Sequence, residues 1–335
     1  ALAVALLAAG CTPAVERFDE VEGPLADAVI FPAEMDVDLS AVPVDIPAVI
    51  AGVQQTELRA HIEALGGPRP GSSANALAAA DHIEAHLDGL GLTVHRQPAS
   101  TGSVTMPNVY ADRPGTVCPD RVFVVGAHYD TVPGSPGADD NASGTAGMLE
   151  AARVLRGTPL PVTVRFAGFA LEEDGLVGSG VMAADLAASG TDVVGMVSLE
   201  MIGFTRIAPD PFIGTTQDFL AMIGEPTRSA RLAEVFGAAS LAHLPYHFAP
   251  AAVLDPTTFT PILRSDHARF WQQGYPALLI TDTADFRNPN YHRSTDTLDT
   301  LNMGFMAASV QSVLSGLIAF TTIDADGDGT PDVCA

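Results

Sequence analysis

Basic residues are scarce in this chain: 16 Lys and Arg stand against 40 Asp and Glu in 335 residues, a formal net charge of −24. Such a surface repels a phosphate backbone at every approach, which excludes nucleic-acid binding. Cysteine is also rare, with three residues, Cys11, Cys118 and Cys334, too few to build a fold on disulfides alone. No run of 18 or more apolar residues follows the first dozen positions, so a polytopic helical membrane protein is not expected. What the chain does have is apolar content: 47% hydrophobic against 17% charged is too apolar for disorder and enough for a sizeable core. The length suits one large or two modest domains, and no repeat of 20 to 50 residues is visible.

The first residues form a segment of their own. Ala1 to Ala9 read ALAVALLAA and are followed by Gly10 and Cys11, an apolar stretch ending in small residues before a cysteine. Residues 1–11 resemble a bacterial lipoprotein signal with its lipobox, Leu7-Ala8-Ala9-Gly10-Cys11. The resemblance implies that Cys11 is lipidated, that membrane contact runs only through that anchor, and that the rest of the chain is extracytoplasmic. Disulfides persist in such a compartment, where Cys118 and Cys334 either pair or remain apart; the sequence leaves both open. Residues 12–53, rich in Pro and acidic side chains, are expected to be a tether and wrapping arm.

From Gln54 onward the pattern is that of one α/β domain reaching Thr321. Gln54 to Leu65 and Ser73 to Leu90 have helical spacing and stop at glycine. β-rich runs then alternate with helical ones: Arg121 to Ala127, helix Thr145 to Leu155, Val162 to Leu171, helix Met182 to Ala188 and Val193 to Ile202. Phe219 to Leu241 reads as helical, Pro276 to Thr281 as a buried strand and Leu301 to Phe320 as a closing helix. Alternation of this kind predicts a mostly parallel sheet covered by helices on both faces.

The residues that carry chemistry cluster just after these strands, where open α/β sheets build their sites. His128-Tyr129-Asp130 follows the first strand, and Asp139-Asp140-Asn141 stands just before a helix. Glu172-Glu173-Asp174 follows the second strand, three acids that repel one another unless a cation or solvent separates them. Glu200 is embedded in the apolar run Val193 to Ile202, and a buried carboxylate needs a partner or a metal. Tyr291-His292 lies in a loop after the last strand. Two histidines and three carboxylates at the ends of separate strands are ligand stock for two zinc ions sharing one carboxylate.

The stretches GAHYDTVPGSPGADDNASG, ALEEDGLVGS, SLEMIG, SDHARFWQQGYPAL and NPNYHRSTDTLDTLN resemble, in order, the zinc aminopeptidases that include bacterial leucyl aminopeptidases, with glutamate carboxypeptidases and glutaminyl cyclases as relatives. The resemblance implies a three-layer α/β/α fold of the phosphorylase/hydrolase-like zinc exopeptidase type, with a mixed, mostly parallel sheet over residues 54–321. It implies two zinc ions, one held by His128 and Glu200, the other by Glu173 and His292, with Asp140 bridging. Glu172 becomes the general base, Asp130 orients His128, and Tyr291 is placed to polarise the scissile carbonyl. The substrates implied are peptides with a free N-terminus. Two alternatives follow from the same relatives: a glutaminyl-cyclase-like transferase with one zinc, and a binding ectodomain without catalysis. Many members carry Asp where this chain has Glu200, and glutaminyl cyclases typically have Trp where it has Tyr291. Asp266 and His267 match a substrate-side loop in relatives and receive no role.

Other signals read as structure. His82 and His86 stand at i and i+4, but the residues between them do not make H-E-x-x-H, so a solvated helix face is expected. Ser179 lacks the G-x-S-x-G spacing of a serine-hydrolase elbow. In residues 322–335, Asp324, Asp326 and Asp328 alternate before Gly329, as in the first half of a calcium loop, while position twelve is Ala335 rather than Glu. The tract DADGDGTPDVC resembles one thrombospondin type 3 repeat, which implies calcium with Asp332 as a further ligand.

Overall fold

The computed structural model describes residues 14–18, 21, 25–205 and 218–335; the lipoprotein-like segment with Cys11 lies outside the described residues. Within the arm come helices α1 (Ala14–Arg17) and α2 (Ile46–Ile50), followed by α3 (Gln55–Ala64) and α4 (Ala74–Gly89). Side-chain caps set two of these starts: Asp45 accepts the Ala48 N–H at 3.1 Å, and Ser73 accepts that of Ala76 at 3.1 Å. Strands β1 (Val94–Ser100), β2 (Thr105–Arg113) and β3 (Cys118–His128) come next, then α5 (Gly144–Leu155), β4 (Val162–Phe169), α6 (Val177–Ser189) and β5 (Asp192–Glu200). The chain continues with β6 (Ala221–Gly224), α7 (Ala230–His243), β7 (Ala251–Val253), α8 (His267–Gln272), β8 (Ala277–Thr281) and α9 (Met303–Thr322).

The eight strands form one sheet in the order β1-β2-β4-β3-β5-β8-β6-β7. Its centre, β4-β3-β5-β8, is parallel, and antiparallel pairs flank it at β1-β2, β2-β4 and β6-β8. Alternation along the central strands separates two cores. Phe123, Val125, Val197, Leu199, Leu278 and Ile280 face α3, α4, α5, α7 and α9, while Val122, Val124, Met196, Ala277 and Leu279 face the layer of α6 and α8. The result is the three-layer α/β/α arrangement with a mixed, mostly parallel sheet that the sequence implied. Helix α9 is long and apolar enough to cross a membrane by length and composition, but 78% of its apolar window is buried against the domain, as a core helix requires.

Three local readings are corrected. Phe219 to Leu241 is not one helical stretch: Ala221 and Ile223 turn to one core and Leu220 and Met222 to the other, a period of two that makes β6, and Glu225-Pro226 separates it from α7. The hairpin of β1 and β2, where the sequence suggested no strands, adds the antiparallel edge. His82 and His86 are not a solvated face; they are half-buried and meet His61 of α3, with His61 Nδ1 3.0 Å from His82 Nε2 and the His61 and His86 ring centroids 4.5 Å apart.

The arm and the tail both fasten to this body. Ile46 and Ile50 are buried in the larger core, and Val29 bridges Ala252 of β7 in antiparallel fashion. Cys118 and Cys334 pair, with Cα atoms 5.7 Å apart, tying the tail to the start of β3 at the edge opposite the strand ends that carry His128 and Glu200.

The histidine cluster makes the fold acid-sensitive. Burial holds the His61 imidazole down at about 3, with His86, His82 and Arg153 adding to the shift, while Glu57 opposes it at neighbouring His86. A base whose folded pKa is depressed binds its proton more readily when unfolded, so stability falls as pH drops from about 6.5 toward 3, by up to about 1.4 kcal/mol per pH unit for this one proton. In His61→Leu, denaturant titrations between pH 6.5 and 4.5 should show a shallower loss of stability; an unchanged slope would remove His61 from the acid response.

Candidate metal centre

Parallel register brings the strand ends together before any side chain is considered. His128, the last residue of β3, pairs with Phe169, the last of β4, and Glu200, ending β5, pairs with Thr281, ending β8. The segments that follow β4 and β8 carry Glu172-Glu173 and Tyr291-His292, and Asp140 lies in the turn before α5. All the expected ligands therefore meet at one edge of the sheet, as the topology of parallel strands favours.

Asp140 sits at the centre of the cluster. Its Oδ1 is 3.4 Å from Nε2 of His128 and its Oδ2 is 3.1 Å from Nε2 of His292, one oxygen toward each imidazole. His128 Nε2 also lies 3.4 Å from Glu200 Oε2, and His292 Nε2 lies 3.2 Å from Glu173 Oε2. Donor atoms around one tetrahedral zinc with bonds of about 2.0–2.1 Å stand roughly 3.3 Å apart, so these spacings fit the metal. Ligand atoms of Asp140, Glu173 and His292 fall within 4.8 Å of one another, and so do those of His128, Glu200 and Glu172. The oxygen Glu173 Oε1 is buried without a hydrogen-bond partner, a site where a cation is favoured over solvent.

The local charges point the same way. Burial works against both protonated imidazoles, yet facing carboxylates win: Glu200 and Glu172 among others hold His128 well above its ordinary range, and Asp140 and Glu173 lift His292 to about 10. Burial would raise Asp140, but its bonds to His128 and His292 hold it below the usual carboxylate range. Glu172 is raised well above that range, first by burial and then by Glu200, Asp266 and Glu173, with His128 opposing. Four carboxylates face two imidazoles there, so protonating both imidazoles still leaves negative charge in excess, a setting that favours divalent cations.

A scaffold of carboxylates and amides fixes these groups. Asp130 accepts the Glu172 N–H and the Glu173 N–H, each at 3.1 Å, one on each oxygen. Its carboxylate is 3.6 Å from His128 Nδ1, beyond hydrogen-bond reach, and the nearer acceptor for that nitrogen is the Asp130 carbonyl oxygen at 3.2 Å. Asp130 therefore shapes the turn carrying both glutamates as much as it orients the imidazole. Tyr291 stacks on the His292 ring with centroids 3.7 Å apart, and its hydroxyl lies 3.2 Å from Arg264 Nη2. One open cleft is lined by Asp140, Glu172, Glu173, Glu200, Arg264 and Tyr291.

Several contributors were given no role in the sequence analysis. Asp296 accepts the N–H groups of Asp139 and Asp140 at 2.9 and 3.1 Å, holding the turn that presents Asp140. Asn141 Oδ1 accepts from Met201 at 3.1 Å and its Nδ2 donates to Leu199 O at 2.8 Å, locking that turn to the end of β5. Ser265 donates to Glu200 Oε2 at 2.7 Å. Arg69, 1% exposed, donates to the carbonyls of Tyr129, Pro136 and Gly137. Asp296 did carry a signal, since it belongs to the same stretch as His292; Arg69 and Ser265 carried none, because each acts through partners far away in sequence. Asp266 and His267 are both fully buried, and His267 Nε2 is 2.7 Å from Ile262 O, a bond that keeps its ring inside the protein.

Comparison with known proteins gives a consistent picture. The model of the family described as Peptidase family M28 matches residues 108–316. The protein YfbL of Escherichia coli is 34% identical over 215 residues, 58% of this chain and 65% of that protein. Leupeptin-inactivating enzyme 1 of Streptomyces exfoliatus is 32% identical over 218 residues, 62% of this chain and 50% of that enzyme. The chain thus spans one half to just under two thirds of these curated relatives. Among solved structures, an aminopeptidase from Aneurinibacillus sp. strain AM-1 superposes with a TM-score of 0.67 at 20% identity, covering 80% of this chain and 94% of that one, a likeness of fold.

Proposed function

The chain belongs to peptidase family M28, and on that premise we propose that it is a zinc-dependent aminopeptidase, hydrolysing the N-terminal peptide bond of peptides with two zinc ions acting together. The observation that carries the reading is Asp140, whose two oxygens each face a different imidazole, with Glu200 completing one side and Glu173 the other. His128, Glu200 and Asp140 would hold one ion, and Glu173, His292 and Asp140 the other. When bound, the pair supplies Lewis-acid polarisation of the scissile carbonyl, a more acidic water and positive charge for the substrate's α-amine.

This chain's own residues do the rest. Glu172, 8% exposed and at the cleft wall, takes a proton from the attacking water and hands it to the leaving amine. Burial and the neighbouring Glu200, Asp266 and Glu173 push its pKa up, which favours its taking up a proton. Tyr291 lines the same cleft, and Arg264, donating to its hydroxyl at 3.2 Å, supports it as a hydrogen-bond donor to developing negative charge on the carbonyl oxygen. Asp130 holds the backbone of Glu172 and Glu173, so base and ligand keep fixed places on adjacent residues. The competing reading, a cyclase-like transferase with one zinc, uses one cluster of donors where two are found, and a non-catalytic ectodomain has no use for Glu172 beside a full ligand set.

Adjacent glutamates with different work make the test sharp. Glu172→Gln should retain two equivalents of zinc while turnover of aminoacyl reporter amides falls by about a hundredfold to ten-thousandfold. Glu173→Gln should instead lose one equivalent. The reading fails if Glu172→Gln turns over normally at saturating zinc, or if the wild type binds only trace zinc by elemental analysis.

We further propose calcium in the tail. Carboxylate oxygens of Asp324, Asp326 and Asp328 lie within 4.8 Å of one another, and Asp332 accepts the Ala325 N–H at 2.9 Å, closing the loop. Calcium should slow proteolytic cleavage within residues 324–332; equal cleavage rates in calcium and in chelator would count against a bound ion. The extracytoplasmic, lipid-anchored placement is likewise a proposal, supported by the lipobox-like start and by the Cys118–Cys334 disulfide, which persists in oxidising compartments. In a bacterial host carrying the full gene, the protein should fractionate with membranes and Cys11→Ala should not; identical fractionation would refute the anchor.

A further inference from the structure

Next to the metal cluster lies a second concavity of different character. It is a cavity of about 70 Å³ lined by Glu200 and Tyr291 together with Ile223, Ile262, Leu279 and, from the N-terminal arm, Leu25. Carbon dominates these walls, and Arg264 pairs with Asp285 at 3.2 Å among its polar margins. On the aminopeptidase reading, on which this inference rests, a substrate whose α-amine and scissile carbonyl sit at the cluster must send its first side chain into a neighbouring recess. An apolar recess touching Glu200 and Tyr291 is placed to receive it.

Leu25 differs from the other walls in origin. It precedes the matched peptidase region, residues 108–316, by more than 80 positions (108 − 25 = 83), yet it is 3% exposed and belongs to the same buried cluster as Ile223, Ile262 and Leu279. Its place is fixed from both sides along the chain. Downstream, the Ala28 and Val29 N–H groups donate to Leu25 O at 3.0 and 3.1 Å, Val29 bridges Ala252, and the Ile30 N–H donates to Ala251 O at 2.7 Å, so the arm docks on the free edge of β7. Upstream, Phe18 meets the Phe248 ring edge-on at 5.0 Å, and Arg17 donates to Asp218 O at 2.9 Å.

We propose that the N-terminal arm completes the pocket for the substrate's first side chain through Leu25, making a segment outside the matched peptidase region a determinant of which N-terminal residue is accepted. Edge-strand docking gives the arm its position, and a single leucine then sets the depth of the recess. One methylene gained or lost in such a pocket changes selectivity by roughly ten- to two-hundredfold, so the effect is large enough to read as a ratio of substrates.

The experiment compares kcat/KM for alanyl, leucyl and phenylalanyl reporter amides in the zinc-loaded wild type and in Leu25→Phe, Leu25→Ala and Leu25→Val. Leu25→Phe fills the recess and should lower the leucyl-to-alanyl ratio by about tenfold or more. Leu25→Ala opens it and should raise the phenylalanyl-to-leucyl ratio, with Leu25→Val shifting the same way by less. The valine variant keeps most of the buried contact, so the arm stays docked in at least one test. Ratios that stay within twofold of wild type in active variants overturn the role of Leu25 and leave the aminopeptidase reading standing. A zinc-loaded wild type inactive on all three amides overturns that reading itself, and the pocket assignment with it.

Discussion

Like charges gathered in a dry place constrain this molecule more than any other feature. Asp140, Glu172, Glu173 and Glu200 converge at the carboxyl ends of three parallel strands, β3, β4 and β5, and burial makes each negative charge costly unless positive charge lies within a few ångström. Two imidazoles alone would carry the balance only as imidazolium, which is why His292 is lifted to about 10. Bound zinc would relieve the conflict and leave the imidazoles neutral, in the state that ligates metal. Much of the surrounding structure is then intelligible as the means of holding repelling groups close.

The means is a set of acceptors aimed at backbone N–H groups rather than at the ligands themselves. Asp296 grips the turn of Asp139 and Asp140, Asp130 grips the turn of Glu172 and Glu173, and Asn141 ties the first turn to the end of β5. Each fixes a loop at the end of a different strand, so the positions of the candidate ligands follow from backbone placement and not from long side chains searching for partners. Burial keeps these bonds strong, because water does not compete for the donors. Asp296 itself is pushed up to about 7, by burial first and then by Asp139, so its surroundings disfavour its charge while the two N–H groups it accepts favour it.

Around this centre the ends of the chain are used as fasteners. The arm extends the sheet edge at β7, inserts Ile46 and Ile50 in the larger core and sends Leu25 to the pocket wall. The tail is fixed by the disulfide between Cys118 and Cys334, and the Asp332 N–H donates to Ile323 O at 2.8 Å. Closing a loop of 216 residues restricts the unfolded chain strongly, and the cross-link acts at the amino ends of the strands, away from the edge that carries the carboxylate cluster.

The sequence by itself determined the layer architecture and marked the candidate ligands. Strict alternation of strand-like and helix-like runs from Arg121 to Ile202 encodes parallel strands with crossover helices, and His128, Asp140, Glu172, Glu173, Glu200 and His292 all stand just beyond or before such runs, where local position marks them. Short or polar strands were not legible, because β1 and β2 have mixed faces and β6 has four residues, too few for a period to declare itself. Nor could the pairing of Cys118 with Cys334, the meeting of His61 with His82 and His86, or the grip of Asp296 be read along the chain. Each depends on a distance between residues many positions apart, and the packing of helices on the sheet sets such distances, not the spacing of residues in sequence. That is also why Leu25 came to light only in the tertiary structure: nothing in an arm rich in Pro and acidic residues says that one of its leucines ends in the wall of a cavity that Glu200 also lines.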